Sequence, residues 1–237
     1  MPNWRLLVFG ASGAIGSAVV RRALARGWSV TGVSRGEPPA ETTDSMEWLS
    51  YDPLSGDSDA PFPADEPFDG ICWAQGANLA DSLHAFDVER HLELYRANCL
   101  SVMISASSLV RSGLLGADGA RLTIVSSIWQ ERARADKLSY TVTKAAVGGL
   151  VRSASVDLGS GGHFVNGVLP GVLETPMTVA NLSAEQIAAV SNMTPHRRLP
   201  DLDTLAELIC FLCSPENNSI TGQSITVDLG MSNVLLI

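Results

Sequence analysis

The sequence predicts an α/β protein: one domain over residues 1–237, built on a doubly wound parallel β-sheet flanked by helices on both faces. Two observations predict it. Short β-rich runs alternate with helix-patterned ones along the chain, the order that βαβ crossovers require. The 237 residues, 46% of them hydrophobic and 17% charged, are also enough for one large buried core.

In order, the β-rich runs are WRLLVFG at 4–10, WSVTGVS at 28–34, FDGICWA at 68–74, ARLTIVSS at 120–127, HFVNGVLPG at 163–171 and SITVDLG at 224–230. Between them, 14–27, 88–113 and 138–161 carry apolar residues at helical spacing and end at Gly, where a helix can stop in the left-handed conformation. The stretch 52–69 holds four prolines with little periodicity, and reads as a loop where this fold usually places a crossover helix. After Pro170 the chain turns irregular again. A short helix is expected within 181–193, making 171–199 a lid over the end of the sheet.

Composition excludes several function classes. A net charge of −9 argues against nucleic-acid or anionic-membrane surfaces, which need clustered Lys and Arg. No run reaches the roughly 18 apolar residues of a membrane span. The apolar stretch after Arg5 is punctuated by Gly and Ser without a convincing cleavage site, so it reads as mature structure rather than a signal peptide. Cys72, Cys99, Cys210 and Cys213 lie in or beside apolar runs, which suits reduced core thiols in a cytoplasmic protein. The Cys210–Cys213 spacing fits a redox or metal pair, yet it sits on an apolar-faced helix and core packing is the default. His84, His91, His163 and His196 are scattered and form no metal signature.

Gly10-Ala11-Ser12-Gly13-Ala14-Ile15-Gly16 joins the first strand to the first helix. Glycines there allow a tight turn, a close backbone approach to pyrophosphate and close helix-on-strand packing; the helix N-terminus offers unpaired N–H groups to an anion. In that setting the turn predicts a Rossmann-type dinucleotide site. The second strand ends in Ser34-Arg35 with no acidic residue for an adenosine ribose. Arg35 can meet a 2′-phosphate, favouring NADP over NAD; the alternative is a solvated surface arginine.

Tyr140, one of three tyrosines, stands four residues before Lys144, one of two lysines. On a helix they share a face. With GASGAIG, Asn98, Ser127 thirteen residues before Tyr140, NGVLPGVLET and ITGQSITVDLG, this order resembles the short-chain dehydrogenase/reductase family, in its compact single-domain branch, over nearly the whole chain.

The resemblance implies a catalytic set of Asn98, Ser127, Tyr140 and Lys144. Tyr140 is the implied general acid/base, with Lys144 lowering its pKa towards neutrality. Ser127 holds the same substrate oxygen, and Asn98 supports a water near Lys144. Pro170, Gly171, Val172 and Thr175 should border the nicotinamide, and Asp52 the adenine. Trp73-Ala74-Gln75-Gly76 departs from the family's Asn-Asn-Ala-Gly run, keeping only the glycine, so Ala74, Gln75 and Gly76 mark an unusual adenosine side. Trp129 and Met177, the latter in an apolar-rich lid with Leu182 and Met193, are candidates for substrate contact.

The expected activity is hydride transfer between NADP(H) and a small carbonyl or secondary alcohol, either ketoreductase-like or sugar-related. The rivals are a catalytically silent cofactor-binding regulatory or structural subunit and a sugar-nucleotide epimerase. The epimerase would need a C-terminal substrate domain larger than the roughly 70 residues after Pro170. A homodimer or homotetramer is expected, through the helices near 88–112 and 138–159 and the apolar end NVLLI.

Overall fold

Alternation within the strands dictates two cores. In β1 (Arg5–Phe9), Leu6 and Val8 point to one face and Leu7 and Phe9 to the other, as a period of two requires. The computed structural model describes residues 4–35, 46–56, 60–175, 178 and 182–234. Its seven strands form one parallel sheet in the order β3-β2-β1-β4-β5-β6-β7. The other strands are β2 (Ser29–Ser34), β3 (Met46–Ser50), β4 (Gly70–Trp73), β5 (Arg121–Val125), β6 (Phe164–Pro170) and β7 (Ser224–Val227).

The described residues include six α-helices: α1 (Ala14–Ala25), α2 (Val88–Tyr95), α3 (Ser101–Arg111), α4 (Leu138–Gly159), α5 (Ala184–Asn192) and α6 (Leu202–Leu212). On one face, Ala18, Val19 and Ala23 of α1 pack with Leu205, Ile209 and Cys210 of α6 against Leu6, Val8 and Cys72. On the other, Cys99, Val102 and Leu109 join Val147 and Val151 of α4 over Leu7, Phe9, Ile71 and Trp73. The doubly wound expectation holds, and all four cysteines are buried free thiols.

Two elements differ from the sequence reading. The reading has no strand at Met46–Ser50; the structure pairs it with β2, Val30 opposite Met46, as the sheet's edge. The helix read continuously over 88–112 is divided by a π-helical segment, Arg96–Leu100. The proline-rich loop carries no helix among its described residues, yet it is not loose. Phe62 and Phe68 are buried, with Phe62 packed 5.9 Å from Phe9 and 4.9 Å from Tyr51, centre to centre. Ser112 Oγ accepts from Phe62 N at 3.0 Å, and Ser108 Oγ donates to Ala60 O at 3.1 Å, tying the loop to the α3 end. Buried aromatics thus close the space a crossover helix would fill.

The region after Pro170 contains the predicted short helix, α5, begun by a reciprocal Ser183–Gln186 capping box. Its two ends meet: a Cβ on Gly171 would lie 2.8 Å from Asp228 Cβ and 3.6 Å from Pro200 Cγ. Met177 and the last three residues of NVLLI fall outside the described residues.

Candidate active site

Strand order locates the crevice. The chain leaves β1 towards β2 and leaves β4 towards β5, so the C-terminal ends of β1 and β4 flank the topological switch point where such sheets bind ligands. Gly10 ends β1 there with φ +71, and a Cβ on it would strike Gln75 N at 2.7 Å. Gly16 is tighter still: its Cβ would lie 2.1 Å from Gly10 O. Both glycines are therefore required by space, and Gly10 by backbone conformation as well.

Gly13 caps α1 without a side-chain hydrogen bond. The N–H groups of Ala14, Ile15 and Gly16 begin the helix, while Ser12 and Gly13 are exposed. Gln75 Oε1 is buried with no hydrogen-bond partner among the described residues. This cradle, a helix N-terminus with an orphaned acceptor opposite, fits a dinucleotide's phosphate and hydroxyl chemistry. Ser34 and the exposed Arg35 follow β2 at the same end of the sheet. Asp52 lies just beyond β3, where its Oδ1 accepts from Leu54 N at 3.0 Å and shapes a turn. At β6, Gly171 N donates to Val227 O at 2.9 Å, fixing the exit of Pro170, Gly171 and Val172. Thr175 Oγ1 accepts from Thr178 N at 3.3 Å.

The four predicted catalytic residues converge beside this crevice. Asn98 lies in the π-helical segment, a distortion that recurs at functional sites. Its Oδ1 accepts from Ala77 N at 2.8 Å, while its Nδ2 donates to Ala77 O at 3.1 Å and Thr143 Oγ1 at 3.0 Å. Asn98 thereby clamps the loop after β4 onto α4. A Cβ on Gly76 would sit 3.4 Å from Asn98 Oδ1 and 3.6 Å from Lys144 Nζ. Ser127 follows β5 and accepts from Trp129 N at 3.3 Å, starting a 3-10 turn that leaves Trp129 half-buried under Arg134. The Ser127 side chain also acts on the Tyr140 phenol, favouring its ionised form.

The electrostatics correct one expectation. Tyr140 does not fall towards neutrality: burial raises its pKa, and the Ser127 side chain offsets this only in part. Lys144 Nζ is 5.6 Å from the Tyr140 ring centre and donates to Val125 O at 3.3 Å. Burial brings the Lys144 ammonium itself down to about 8, with a small opposing effect of Cys99. A desolvated ammonium beside a desolvated phenol shifts both towards their neutral forms.

Sequence reading missed the residues that seat this group. Lys137, the other lysine, lies 5.6 Å from the same ring centre and donates to Asn78 Oδ1 at 2.6 Å. Asp81 accepts from Ser139 N at 2.9 Å and from Ser139 Oγ, anchoring the start of α4. The available signal was nearness in sequence, since Lys137 stands three residues before Tyr140, at the N-cap of α4. No cluster of metal-ligating side chains occurs among the described residues, and none of their helices is long and apolar enough to cross a membrane.

A family model described as "Enoyl-(Acyl carrier protein) reductase" matches residues 67–232, and one for the NAD dependent epimerase/dehydratase family matches 6–114. The 3-oxoacyl-(acyl-carrier-protein) reductase FabG of Vibrio cholerae is 29% identical over 235 residues, covering 95% of this chain and 96% of its own. Glucose 1-dehydrogenase of Gluconobacter oxydans is 27% identical, covering 96% and 91%. A short-chain dehydrogenase/reductase structure from Burkholderia thailandensis superposes with a TM-score of 0.85 at 25% identity, covering 98% and 93%. The chain belongs to the short-chain dehydrogenase/reductase family of NAD(P)-dependent oxidoreductases.

Proposed function

We propose that the protein moves a hydride between NADP(H), in preference to NAD(H), and the carbonyl or secondary alcohol of a small organic substrate. The convergence of Asn98, Ser127, Tyr140 and Lys144 beside the Gly10–Gly76 crevice carries this reading. Bound NADP(H) supplies or accepts the hydride. Tyr140 gives its proton to the carbonyl oxygen during reduction and takes one from the hydroxyl in reverse. Ser127 donates a hydrogen bond to that same oxygen and holds it in line. Lys144 stabilises the phenolate left behind, and Asn98 holds the Gly76–Ala77 loop against it.

Around this group, Gly10 through Gly16, Ala74, Gln75, Gly76 and Asp52 hold the adenosine and phosphates, and Pro170, Gly171, Val172 and Thr175 border the nicotinamide. Arg35, exposed past β2 where no acidic residue stands, supports the NADP preference. Trp129 contacts the substrate beneath a lid formed by the chain between Pro170 and Pro200. The relatives' names span an acyl-carrier reductase and a sugar dehydrogenase, and we place the substrate within that carbonyl and alcohol range. A cytoplasmic homodimer or homotetramer completes the reading.

A silent cofactor-binding subunit is the weaker reading, because the proton-transfer set is complete. Nicotinamide fluorescence on titration with NADPH and NADH, followed by a panel of 3-oxoacyl thioesters and aldoses, tests the proposal. Tighter NADPH binding and turnover of at least one carbonyl are expected. Binding without turnover across the panel would favour the silent subunit, and tighter NADH binding would reject the cofactor preference.

A further inference from the structure

Tyr140 stands between the chain's only two lysines, Lys137 three residues before it and Lys144 four residues after. Lys144 lies one turn into α4 on Tyr140's side of the helix, whereas Lys137 is the residue that caps the helix N-terminus in a non-helical backbone conformation. Each ammonium lies 5.6 Å from the centre of the Tyr140 ring. Both of the chain's lysines therefore stand beside the Tyr140 ring.

Lys137 is not a solvated surface lysine. The residue is 8% exposed, and its ammonium donates to Asn78 Oδ1 at 2.6 Å and Leu79 O at 3.3 Å. Both acceptors are neutral, so its charge is held in place without being neutralised by a direct ion pair. The nearest carboxylate, Asp81, is engaged through both oxygens by Ser139. The loop that holds Lys137 is the one Asn98 clamps through Ala77, so the cation is fixed in the same frame as the crevice.

We infer that Lys137 is a second electrostatic positioning residue for Tyr140: its ammonium, fixed by Asn78 and Leu79, favours the phenolate that proton transfer to substrate leaves behind. This rests on Tyr140 being the proton-transfer group. Proton transfer breaks the Tyr140 O–H bond and forms one on the substrate oxygen, leaving a full negative charge on a half-buried residue. One ammonium at the N-cap of α4 and one a turn beyond Tyr140 bracket that charge. The other polar groups around the site are Ser127 on the phenol, Cys99 beside Lys144, Asp81 and Arg134 beside Lys137, and His91, whose Nδ1 is 2.8 Å from Ser139 Oγ.

The test is an ultraviolet tyrosinate titration of the full chain, wild type, Lys137→Met and Lys137→Arg, each measured against its own Tyr140→Phe counterpart. The subtraction isolates Tyr140 from Tyr51 and Tyr95. Lys137→Met is expected to raise the Tyr140 midpoint by roughly half a pH unit or more, and Lys137→Arg to restore it, because the arginine keeps the charge. The pH of half-maximal alcohol oxidation at saturating cofactor should move in the same direction. An unchanged Tyr140 midpoint in folded Lys137→Met, checked by circular dichroism at each pH, overturns the inference. Should Lys137→Met fail to fold, Asn78→Ala, which releases the ammonium from its shorter bond, is expected to raise the midpoint too, and no shift there overturns it equally. The titration needs no turnover, so failure of the underlying reading stays separately visible as Tyr140→Phe retaining activity.

Discussion

Burial makes Lys144 and Tyr140 costly residues, and their energetics separate function from stability. Lys144 is held at about 8 against an ordinary 10.5, chiefly by desolvation. Between those values the unfolded chain binds a proton that the folded one does not, so this group's contribution to stability rises with pH across that window. Below about 8 the folded protein carries the full penalty of a buried ammonium. Lys144→Met should therefore abolish turnover yet stabilise the fold at pH 7, on the order of 2 kcal/mol after the lost bond to Val125 O is allowed for. Denaturant melts at pH 7 and near pH 10 check the sign: the gain should shrink at the higher pH. Tyr140, raised by burial, stays protonated as an acid at neutral pH. Tyr140→Phe keeps the ring and should leave cofactor binding intact while turnover falls by about 10²–10⁴-fold; steady-state kinetics beside NADPH fluorescence would read both. At the adenosine end, Arg35→Ala should weaken NADPH by roughly 1.5–3 kcal/mol and leave NADH nearly unchanged. Equal loss for the two cofactors would dismiss a 2′-phosphate contact.

Elements with a strong local pattern read clearly from the chain, and those made by distant partners did not. The β1–turn–α1 unit is legible because its glycines answer a local steric demand: Gly16 abuts Gly10 O within the same unit. Gly16→Ala drives a Cβ into backbone and should cost upwards of about 2 kcal/mol as well as cofactor affinity. Gly13→Ala, whose Cβ would lie 3.3 Å from Gly10 O, should be milder. Thermal melts of the two variants decide it, and equal losses would show that the turn relaxes. The Tyr140–Lys144 pair is legible for a similar reason, since four residues on a helix fix their common face. By contrast, Met46–Ser50 becomes a strand only by pairing with β2, and as a half-exposed edge its alternation is shallow. The π-helical turn at Asn98 depends on clamps from Ala77 and Thr143, far along the chain. Phe62 looked like a loop residue because the partners it packs on, Phe9 and Tyr51, come from β1 and the end of β3. Lys137 went unread for the same reason: Asn78 and Leu79 decide where its ammonium sits.

The two outer layers of the molecule treat water differently. Over α1 and α6 the surface is closed by charge: Arg22 pairs with Asp203 at 3.0 Å and Glu207 at 3.1 Å, and Arg26 with Glu207 at 2.6 Å. Over α2, α3 and α4 large apolar side chains face outward: Val88 is 57% exposed, Met103 44%, Val142 47% and Val156 79%. Helices carrying apolar residues on both their inner and outer faces are expected to bury the outer one against another copy of the same surface, because a two-fold axis makes a single patch self-complementary. A net charge of −9 keeps unpaired copies apart at long range, so this apolar area must be large enough to overcome the repulsion. The expected solution species is a homodimer or homotetramer, two or four times the 25.1 kDa chain. Val142→Glu combined with Val156→Glu places charges on the outer side of α4, away from Tyr140's buried neighbours Thr143 and Lys144, and should lower the assembled mass without unfolding the monomer. Static light scattering at micromolar concentration and rising ionic strength makes the measurement. A wild type that stays at 25.1 kDa throughout would leave the outward apolar face of α2–α4 unexplained by self-association.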